Sequence, residues 1–130
     1  MKIYRNPPEI HPPTGYSHQI EIHGAKRILI LSGQIGRRKD GTTPEKPLEQ
    51  LKIALENLKL NLEAAGMGLQ DVVKLTYYLV GEMDNQERRT IMSENLGEKP
   101  PCSTLVYVAA LALPELKVEL DAWAMRNETA

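Results

Sequence analysis

Residues 47–66 have the sequence PLEQLKIALENLKLNLEAAG, and residues 72–80 have the sequence VVKLTYYLV. The first stretch places leucine at three- and four-residue intervals, which predicts an amphipathic helix that begins near Pro47 and ends near Gly66. The second stretch is rich in β-branched and aromatic residues and predicts a buried strand. The leucine pattern lasts less than three heptads, so a helix packed on a sheet is favoured over a coiled coil.

The flanking segments extend this pattern in both directions. Residues 19–23 alternate polar and apolar side chains, residues 27–32 form a nearly continuous aliphatic run, and Gly24 lies between them. This arrangement predicts a hairpin of two strands. After the buried strand, Asp84 is suited to cap a second helix that ends near Gly97. Two further strands are predicted at residues 103–109 and 116–125.

The predicted order is therefore ββαβαββ, an α+β fold with a mixed sheet. Right-handed crossovers place both helices on the same face of that sheet. The strands nevertheless carry apolar side chains on both faces, so the second face also needs a cover. One set is Val73, Leu75, Tyr77, Leu79, Leu105 and Tyr107; the other is Val72, Tyr78, Val80, Val106 and Val108. We expect self-association through the sheet, and the alternative is a monomer whose residues 1–13 fold across the open face.

Composition limits the partners and the location of the protein. The 130 residues suffice for a single domain, residues 1–130, and the formal charge of -1 gives no long-range attraction to nucleic acid or an anionic membrane. No apolar run is long enough to span a membrane, and the only cysteine, Cys102, cannot form an intrachain disulfide, so we expect a cytoplasmic protein. His11, His18 and His23 lack metal-binding spacing, so we expect neither a metal nor another cofactor.

Three stretches resemble the Rid family (RidA, also called YjgF). They are residues 30–36 (ILSGQIG), residues 58–66 with 71–75 (LKLNLEAAG and DVVKL), and residues 101–106 (PCSTLV) with Val118 and Glu119. They span most of the chain in the family's order. The resemblance implies a chorismate-mutase-like α+β fold, assembled as a homotrimer around a central barrel with a ligand cleft at each subunit interface. This expectation agrees with the uncovered sheet face.

The resemblance also implies a chemistry, the hydrolysis of 2-imino acids to 2-keto acids and ammonia. In such members an arginine before the penultimate strand binds the substrate carboxylate, and a glutamate on the last strand helps to place the attacking water. Matching by motif gives Glu119 as the catalytic residue. The substrate-binding positions that match are Tyr16, Ser32, Gly33, Cys102 and Ser103.

Ser103 stands where the carboxylate-binding arginine is expected, so the chain resembles the subgroup that lacks this residue. A guanidinium offers a charged fork of donors to a carboxylate, whereas a serine offers one neutral hydrogen bond. The loss of such a charged contact costs about 1.5 to 3 kcal/mol. Efficient hydrolysis of ordinary 2-imino acids is therefore not expected. Arg88 and Arg89 on the second helix are the candidates to replace the missing guanidinium.

Each candidate has a simpler alternative. Glu119 and Asp121 alternate with aliphatic residues and are also what a solvated strand face would carry. Cys102 has no histidine in a recognisable partner motif, so an inert thiol whose backbone holds water or ligand is favoured over a nucleophile. Tyr16 is equally consistent with an ordinary interface aromatic.

Three functions remain open from the sequence. The first is an enzyme, an imine or enamine hydrolase, whose ligand in the interface cleft is a small imino or keto acid. The second is a non-catalytic sensor that binds a small metabolite in the same cleft, which the absent arginine favours. The third is ribonuclease or translation-inhibitor activity, a label attached to parts of the family; the balanced charge and the small number of aromatic residues make nucleic-acid binding the weakest of the three.

Overall fold

A computed structural model describes residues 1–127 of the chain. Those residues form six strands, two α-helices and a short 3-10 turn. The predicted order is confirmed with one addition, an extra strand at the amino terminus. In chain order the elements are β1 (Lys2–Arg5), β2 (Gln19–Ile22), β3 (Arg27–Ile35), α1 (Pro47–Ala64), the 3-10 turn (Leu69–Asp71), β4 (Val72–Leu79), α2 (Asn85–Leu96), β5 (Cys102–Tyr107) and β6 (Val118–Arg126).

Four strands form the main sheet in the order β3-β6-β4-β5. Strand β6 is antiparallel to both β3 and β4, whereas β4 and β5 are parallel, so the sheet is mixed. A parallel pair needs a crossover connection, and α2 provides it. Helix α1 packs on β3 and β6, and α2 contacts α1, so both helices lie on one face. The predicted α+β fold class with two helices on one face is confirmed.

The predicted hairpin between residues 19–23 and 27–32 is wrong. Strand β2 pairs with β1 in a separate two-stranded antiparallel sheet, and β3 pairs with β6. Gly24 has a φ of 65°, which a residue without Cβ adopts readily, and the two segments diverge around it. The Lys26 amide then donates to the Arg126 carbonyl at 3.1 Å and extends the β3-β6 ladder. Both strands follow from the local pattern, but their partners are distant in sequence.

Helix α1 contributes a row of leucines to the core, as predicted. The buried members are Leu51, Leu55, Leu58 and Leu62. They belong to one cluster with sheet residues such as Leu75 and Leu120. Burial of each such side chain contributes roughly 1.5 to 3 kcal/mol to folding. The helix has Pro47 in its first turn, and Gly66 follows its end with a φ of 70°.

A buried glutamine ties α1 to the segment that leads into β6. The Gln50 side-chain amide donates to the carbonyls of Pro44 and Glu115 at 2.8 and 2.9 Å, and it accepts from the Lys117 amide at 2.7 Å. Gly36, directly after β3, passes close above this residue. A Cβ at Gly36 would lie 2.6 Å from the Gln50 Cα, so only glycine fits there without a backbone shift.

Helix α2 is attached less tightly than α1. The Asp84 carboxylate caps it by accepting from the Glu87 amide at 2.9 Å, and Gly97, with a φ of 72°, ends it, both as predicted. Met92 is its one buried residue. A helix with so little buried surface leaves space between itself and the sheet. Neither helix described within residues 1–127 is long and apolar enough to cross a membrane.

The sheet face opposite the helices is open in the single chain. Ile28, Ile30 and Trp123 are 57%, 62% and 44% exposed, and Ile30 lies directly beside Trp123 in the β3-β6 ladder. We call these three residues the apolar strip. Isolated apolar residues on a surface are ordinary, but adjacent ones on a sheet face are typical of a surface that another molecule covers.

The middle of the open face is polar, so the apolar residues predicted for the second face cover only part of it. Lys74 donates to the Thr104 hydroxyl at 2.7 Å, and the Tyr78 hydroxyl donates to the Asp121 carboxylate at 2.9 Å. Val72, which simple alternation predicts for this face, is buried because β4 is irregular between residues 72 and 74. The apolar surface is therefore concentrated on β3 and β6.

The amino-terminal segment does not cover the apolar strip. The Ser17 amide donates to the Pro101 carbonyl at 3.1 Å, and its hydroxyl donates to the Pro100 carbonyl at 2.6 Å. These bonds hold the segment against the start of β5, while the strip stays exposed. The alternative in which residues 1–13 seal the open face is therefore wrong for this part of the sheet.

Candidate ligand-binding site

A cleft of about 490 Å³ lies between α2 and β5, on the helix side of the sheet. Small-molecule sites typically enclose roughly 300 to 1,000 Å³, so the cleft is large enough for a metabolite. The loop before β2, the strands β4 and β5, and one side of α2 line it. The lining residues that matter below are Tyr16, Tyr77, Arg88, Arg89, Thr90, Ser93 and Ser103.

The amino-terminal loop brings Tyr16 to the rim of the cleft. The neighbouring Ser17 is fixed to the backbone before β5, as described above. The Tyr16 hydroxyl lies 3.1 Å from His11 Nε2, and His18 Nε2 lies 2.8 Å from the His11 carbonyl. The rings of Tyr16 and His18 also pack edge to face, with centroids 5.4 Å apart. Tyr16 is thus part of an ordered loop that lines the cleft.

Ser103 lies on the wall that β5 contributes. It is paired with Leu75 in the β4-β5 ladder, and Leu75 is fully buried under the helices, so Ser103 also faces the helix side. The hydroxyl can donate one hydrogen bond and carries no charge. The β5 wall therefore offers no cation at the position where the family resemblance implies an arginine.

Two arginines of α2 line the same cleft. Arg88 is half-buried and donates from Nη1 to the Asn85 side-chain oxygen at 2.7 Å, whereas Arg89 is exposed. None of the ion pairs within residues 1–127 includes either arginine. Both arginines thus line the same cleft as Ser103, which sequence alone could not establish.

Tyr77 is a cleft residue that the sequence did not single out. It is 7% exposed, and burial raises the pKa of its hydroxyl to about 12, while the positive charge of Arg88 acts in the opposite direction. The hydroxyl has no hydrogen-bond partner among residues 1–127, although it lines the cleft. It is therefore a neutral donor close to a guanidinium.

The side of α2 that borders the cleft is polar. The helical spacing of its polar residues is the sequence signal that could have identified this binding surface. Gln86, Arg89, Thr90 and Ser93 follow helical intervals of three and four residues. The hydroxyls of Thr90 and Ser93 donate to carbonyls within the helix, at 3.0 and 3.2 Å. A helix side that borders a sheet is ordinarily apolar, so a polar stripe there is typical of a binding surface.

Glu119 and Gly33 lie together on the other face of the sheet. Glu119 is paired with Tyr78 in the β4-β6 ladder, three positions from Leu75, so it points away from the helix side. Strand β3 bulges between Leu31 and Gln34, and a Cβ built on Gly33 would overlap the Glu119 carboxylate. The absence of a side chain at Gly33 gives that carboxylate its place. Ser32, the neighbour of Gly33 in the bulge, is exposed.

Cys102 also faces the open side, since it is paired with Lys74. Burial raises the pKa of its thiol, and the Lys74 charge only partly opposes that effect. A thiol with a raised pKa stays protonated near neutral pH and is a poor nucleophile. The geometry therefore favours the inert thiol over a catalytic cysteine.

Apart from the exposed Ser32, the candidate residues thus form two groups in one chain. Tyr16 and Ser103 lie in the helix-side cleft. Cys102 and Glu119, with Gly33 beneath the carboxylate, lie on the open face. The described residues contain no cluster of three or more metal-ligating side chains.

Comparison with known proteins agrees with this fold. Residues 7–126 match the protein family described as Endoribonuclease L-PSP. The chain belongs to the Rid (YjgF) family. The crystal structure of YyfB, a Rid protein of unknown function from Yersinia pestis, matches this Rid chain with a TM-score of 0.85 and 32% identity, over 96% of this chain and 98% of YyfB.

Curated relatives of this Rid chain include proteins with and without an assigned activity. A RutC family protein of Pyrococcus horikoshii is 34% identical over 114 residues, 86% of this chain and 87% of the relative. The 2-iminobutanoate/2-iminopropanoate deaminase of Escherichia coli is 31% identical over 105 residues, 77% of this chain and 80% of the relative.

Proposed function

We propose that this Rid protein binds a small metabolite in clefts shared between the subunits of a homotrimer and hydrolyses a C=N bond there. The observation that carries the proposal is the separation of the candidate residues. Tyr16 and Ser103 line the helix-side cleft, whereas Gly33 and Glu119 lie on the open face of the same sheet. One chain cannot bring both groups to one ligand, so a complete site needs a second copy.

The apolar strip supports assembly through the open face. A tryptophan paired with an isoleucine is the kind of residue that contributes most to interfaces when it is buried. The middle of that face carries hydrogen-bonding groups, so the centre of such an assembly would hold polar side chains and water as well as apolar contacts. Three copies are what the family resemblance implies. Assembly would bury the strip and carry the Glu119 carboxylate towards a neighbouring subunit.

The proposed reaction needs one water molecule and one group that can accept and return a proton. Water attacks the carbon of the protonated imine while the Glu119 carboxylate accepts a proton from it, which leaves a neutral carbinolamine. Glu119 returns that proton to the nitrogen, the C–N bond breaks while the hydroxyl gives its own proton to Glu119, and the products are a carbonyl compound and ammonia. General acid-base catalysis of this kind contributes about 10² to 10⁴ in rate.

The test is hydrolysis of imino acids generated in place by an amino acid oxidase in the presence of catalase. We expect wild type to accelerate ammonia release over buffer, and Glu119→Gln to lower the rate by about 10² or more. Glu63→Gln is the matched control, because Glu63 is exposed at the end of α1, away from the cleft and the open face. Equal rates for wild type, Glu119→Gln and buffer would eliminate hydrolysis.

A second candidate is a non-catalytic sensor, and Ser103 is the observation that favours it. Without a guanidinium at this position the cleft lacks the family's usual grip on an imino acid. A sensor would be stabilised saturably by a ligand that is recovered unchanged. Thermal unfolding with and without the ligand, followed by analysis of the recovered compound, separates the two functions.

A further inference from the structure

We infer that this protein binds the anionic group of its ligand from helix α2, through Arg88 assisted by Arg89, and not from the start of β5. The inference rests on the proposed function only in that the cleft binds a ligand, and it does not require hydrolysis. The chemical class is a small metabolite with one carboxylate or phosphate group.

Arg88 has the position that such an anchor needs. It is half-buried at the edge of the cleft, and its hydrogen-bond partner, the Asn85 amide oxygen, is neutral. A guanidinium withdrawn from water without a counterion is unfavourable, because its solvation is lost and no partner replaces it. A bound anion would supply that partner. The fork of Arg88 retains donors beyond the one that Asn85 occupies.

Two neutral donors accompany this charge. Tyr77 lines the cleft and its hydroxyl has no hydrogen-bond partner within residues 1–127, and Ser103 contributes a hydroxyl from the β5 wall. An anionic group has several lone pairs to accept such bonds. Arg88 would thus supply the positive charge, while Tyr77 and Ser103 orient the bound anion. A single arginine on β5 would do both.

Arg89 is the weaker member of the pair. It is exposed, so solvent and salt screen its interaction with a ligand more strongly than that of Arg88. It also belongs to the polar stripe of α2 that borders the cleft. We therefore expect Arg89 to raise the affinity for anions modestly and Arg88 to determine it.

The experiment is calorimetric titration of the full chain with three probes: 2-oxobutanoate, inorganic phosphate and the neutral ketone 2-butanone. We expect Arg88→Gln to weaken binding of the favoured anion by about ten- to a hundredfold. Arg89→Gln should weaken it by a few-fold, and Arg88→Lys, which keeps charge but not the fork, should lie between wild type and Arg88→Gln. Arg38→Gln is the control, because Arg38 is exposed in the turn after β3.

Restoration provides a second measurement that a purely structural role would not produce. Adding Ser103→Arg to Arg88→Gln should recover the preference for the anion over 2-butanone. Wild-type affinity in Arg88→Gln, with saturable binding of an anion by wild type, would overturn the inference and leave the proposed binding function intact. If wild type bound 2-butanone but neither anion, the inference alone would fall; if it bound none of the three probes, both would fall. Arg88-dependent binding of phosphate alone would support the anchor and identify phosphate as the class.

Discussion

The two faces of the four-stranded sheet differ in how their apolar residues are covered. On the helix side, α1 fills the surface with leucines, and the remaining space is a cleft with two arginines. On the open side, the apolar strip is exposed beside the carboxylates of Glu119 and Asp121. The chain covers one face with its own helices and leaves the other exposed, so burial and the charged candidate residues are divided between the two faces.

The charges of the two faces differ in the same way as their burial. Within residues 1–127 the guanidinium groups of the helix-side cleft have no carboxylate partner, and the open face carries the carboxylates of Glu119 and Asp121 near the start of β6. Opposite charges on two surfaces that meet favour one orientation of assembly over others. A net charge of -1 for the whole chain conceals this division.

The largest effect that we expect is on assembly. Trp123→Asp places a charge in the middle of the apolar strip and should weaken subunit association by about thirtyfold or more, because buried tryptophans at interfaces contribute about 2 kcal/mol or more. Light scattering over a dilution series measures the change. The monomer should keep its far-ultraviolet circular dichroism, since the side chain of Trp123 is outside the single-chain core.

Leu60→Asp is the matched control for that change. Leu60 is 53% exposed on α1, on the outer side of the molecule relative to the open face. The same introduction of charge there should leave the oligomeric state unchanged. A wild-type protein that is already monomeric at micromolar concentration, or equal dissociation of both variants, would contradict assembly through the apolar strip.

Two glycines separated by three positions should respond differently to the same methyl group. In Gly36→Ala the new Cβ would meet the backbone of Gln50 on the helix side, so we expect a loss of about 1 to 3 kcal/mol in the free energy of unfolding. In Gly33→Ala the new Cβ would meet the flexible end of Glu119 on the open side, so the loss should stay below about 1 kcal/mol.

Activity should reverse the order of the two glycine variants. Gly33→Ala displaces the Glu119 carboxylate and should reduce imine hydrolysis as Glu119→Gln does, while folded Gly36→Ala should retain it. Urea unfolding and the ammonia-release assay on the same preparations give both quantities. Full activity in Gly33→Ala would show that the position of the carboxylate does not matter.

The sequence predicts the elements of this fold better than their partners. The helix of residues 47–64 and the caps at Asp84 and Gly97 depend on neighbours within a few positions, and the structure confirms them. Strand pairing depends on residues about a hundred positions apart, as for β3 with β6, and the local pattern favoured the wrong hairpin. Strand β1 (KIYR) was missed, although it is no shorter than the predicted β2.

The candidate site follows the same rule. Motifs identify Tyr16, Ser103 and Glu119 one at a time, but the faces on which they lie depend on the register of three strands. Tyr77 escaped notice because a tyrosine among aliphatic residues is typical of a core strand, and only the cleft gives its hydroxyl a role. A sequence pattern gives the direction of a side chain within its element, not the surface that it meets.

The last prediction concerns pH and tests whether Tyr77 is as buried as its position on the helix side requires. Because the pKa in the fold is about 12 and that of an unfolded tyrosine is about 10, the neutral phenol is favoured in the fold. Its contribution is present in full below pH 10 and is lost as pH rises towards 12, by roughly 1 kcal/mol at pH 11. Urea unfolding at pH 9 and pH 11 should show this loss of stability in wild type but not in Tyr77→Phe. Tyr107→Phe, which removes an exposed hydroxyl, should still show it.

Tyr78 lies on the open face, and its hydrogen bond to Asp121 raises the pKa of its hydroxyl. Because Tyr78 is accessible to solvent, Tyr78→Phe should change the pH dependence of stability less than Tyr77→Phe does. If Tyr77→Phe lost as much stability as wild type over this interval, the phenol would be solvated and the cleft would lack one of its two neutral donors.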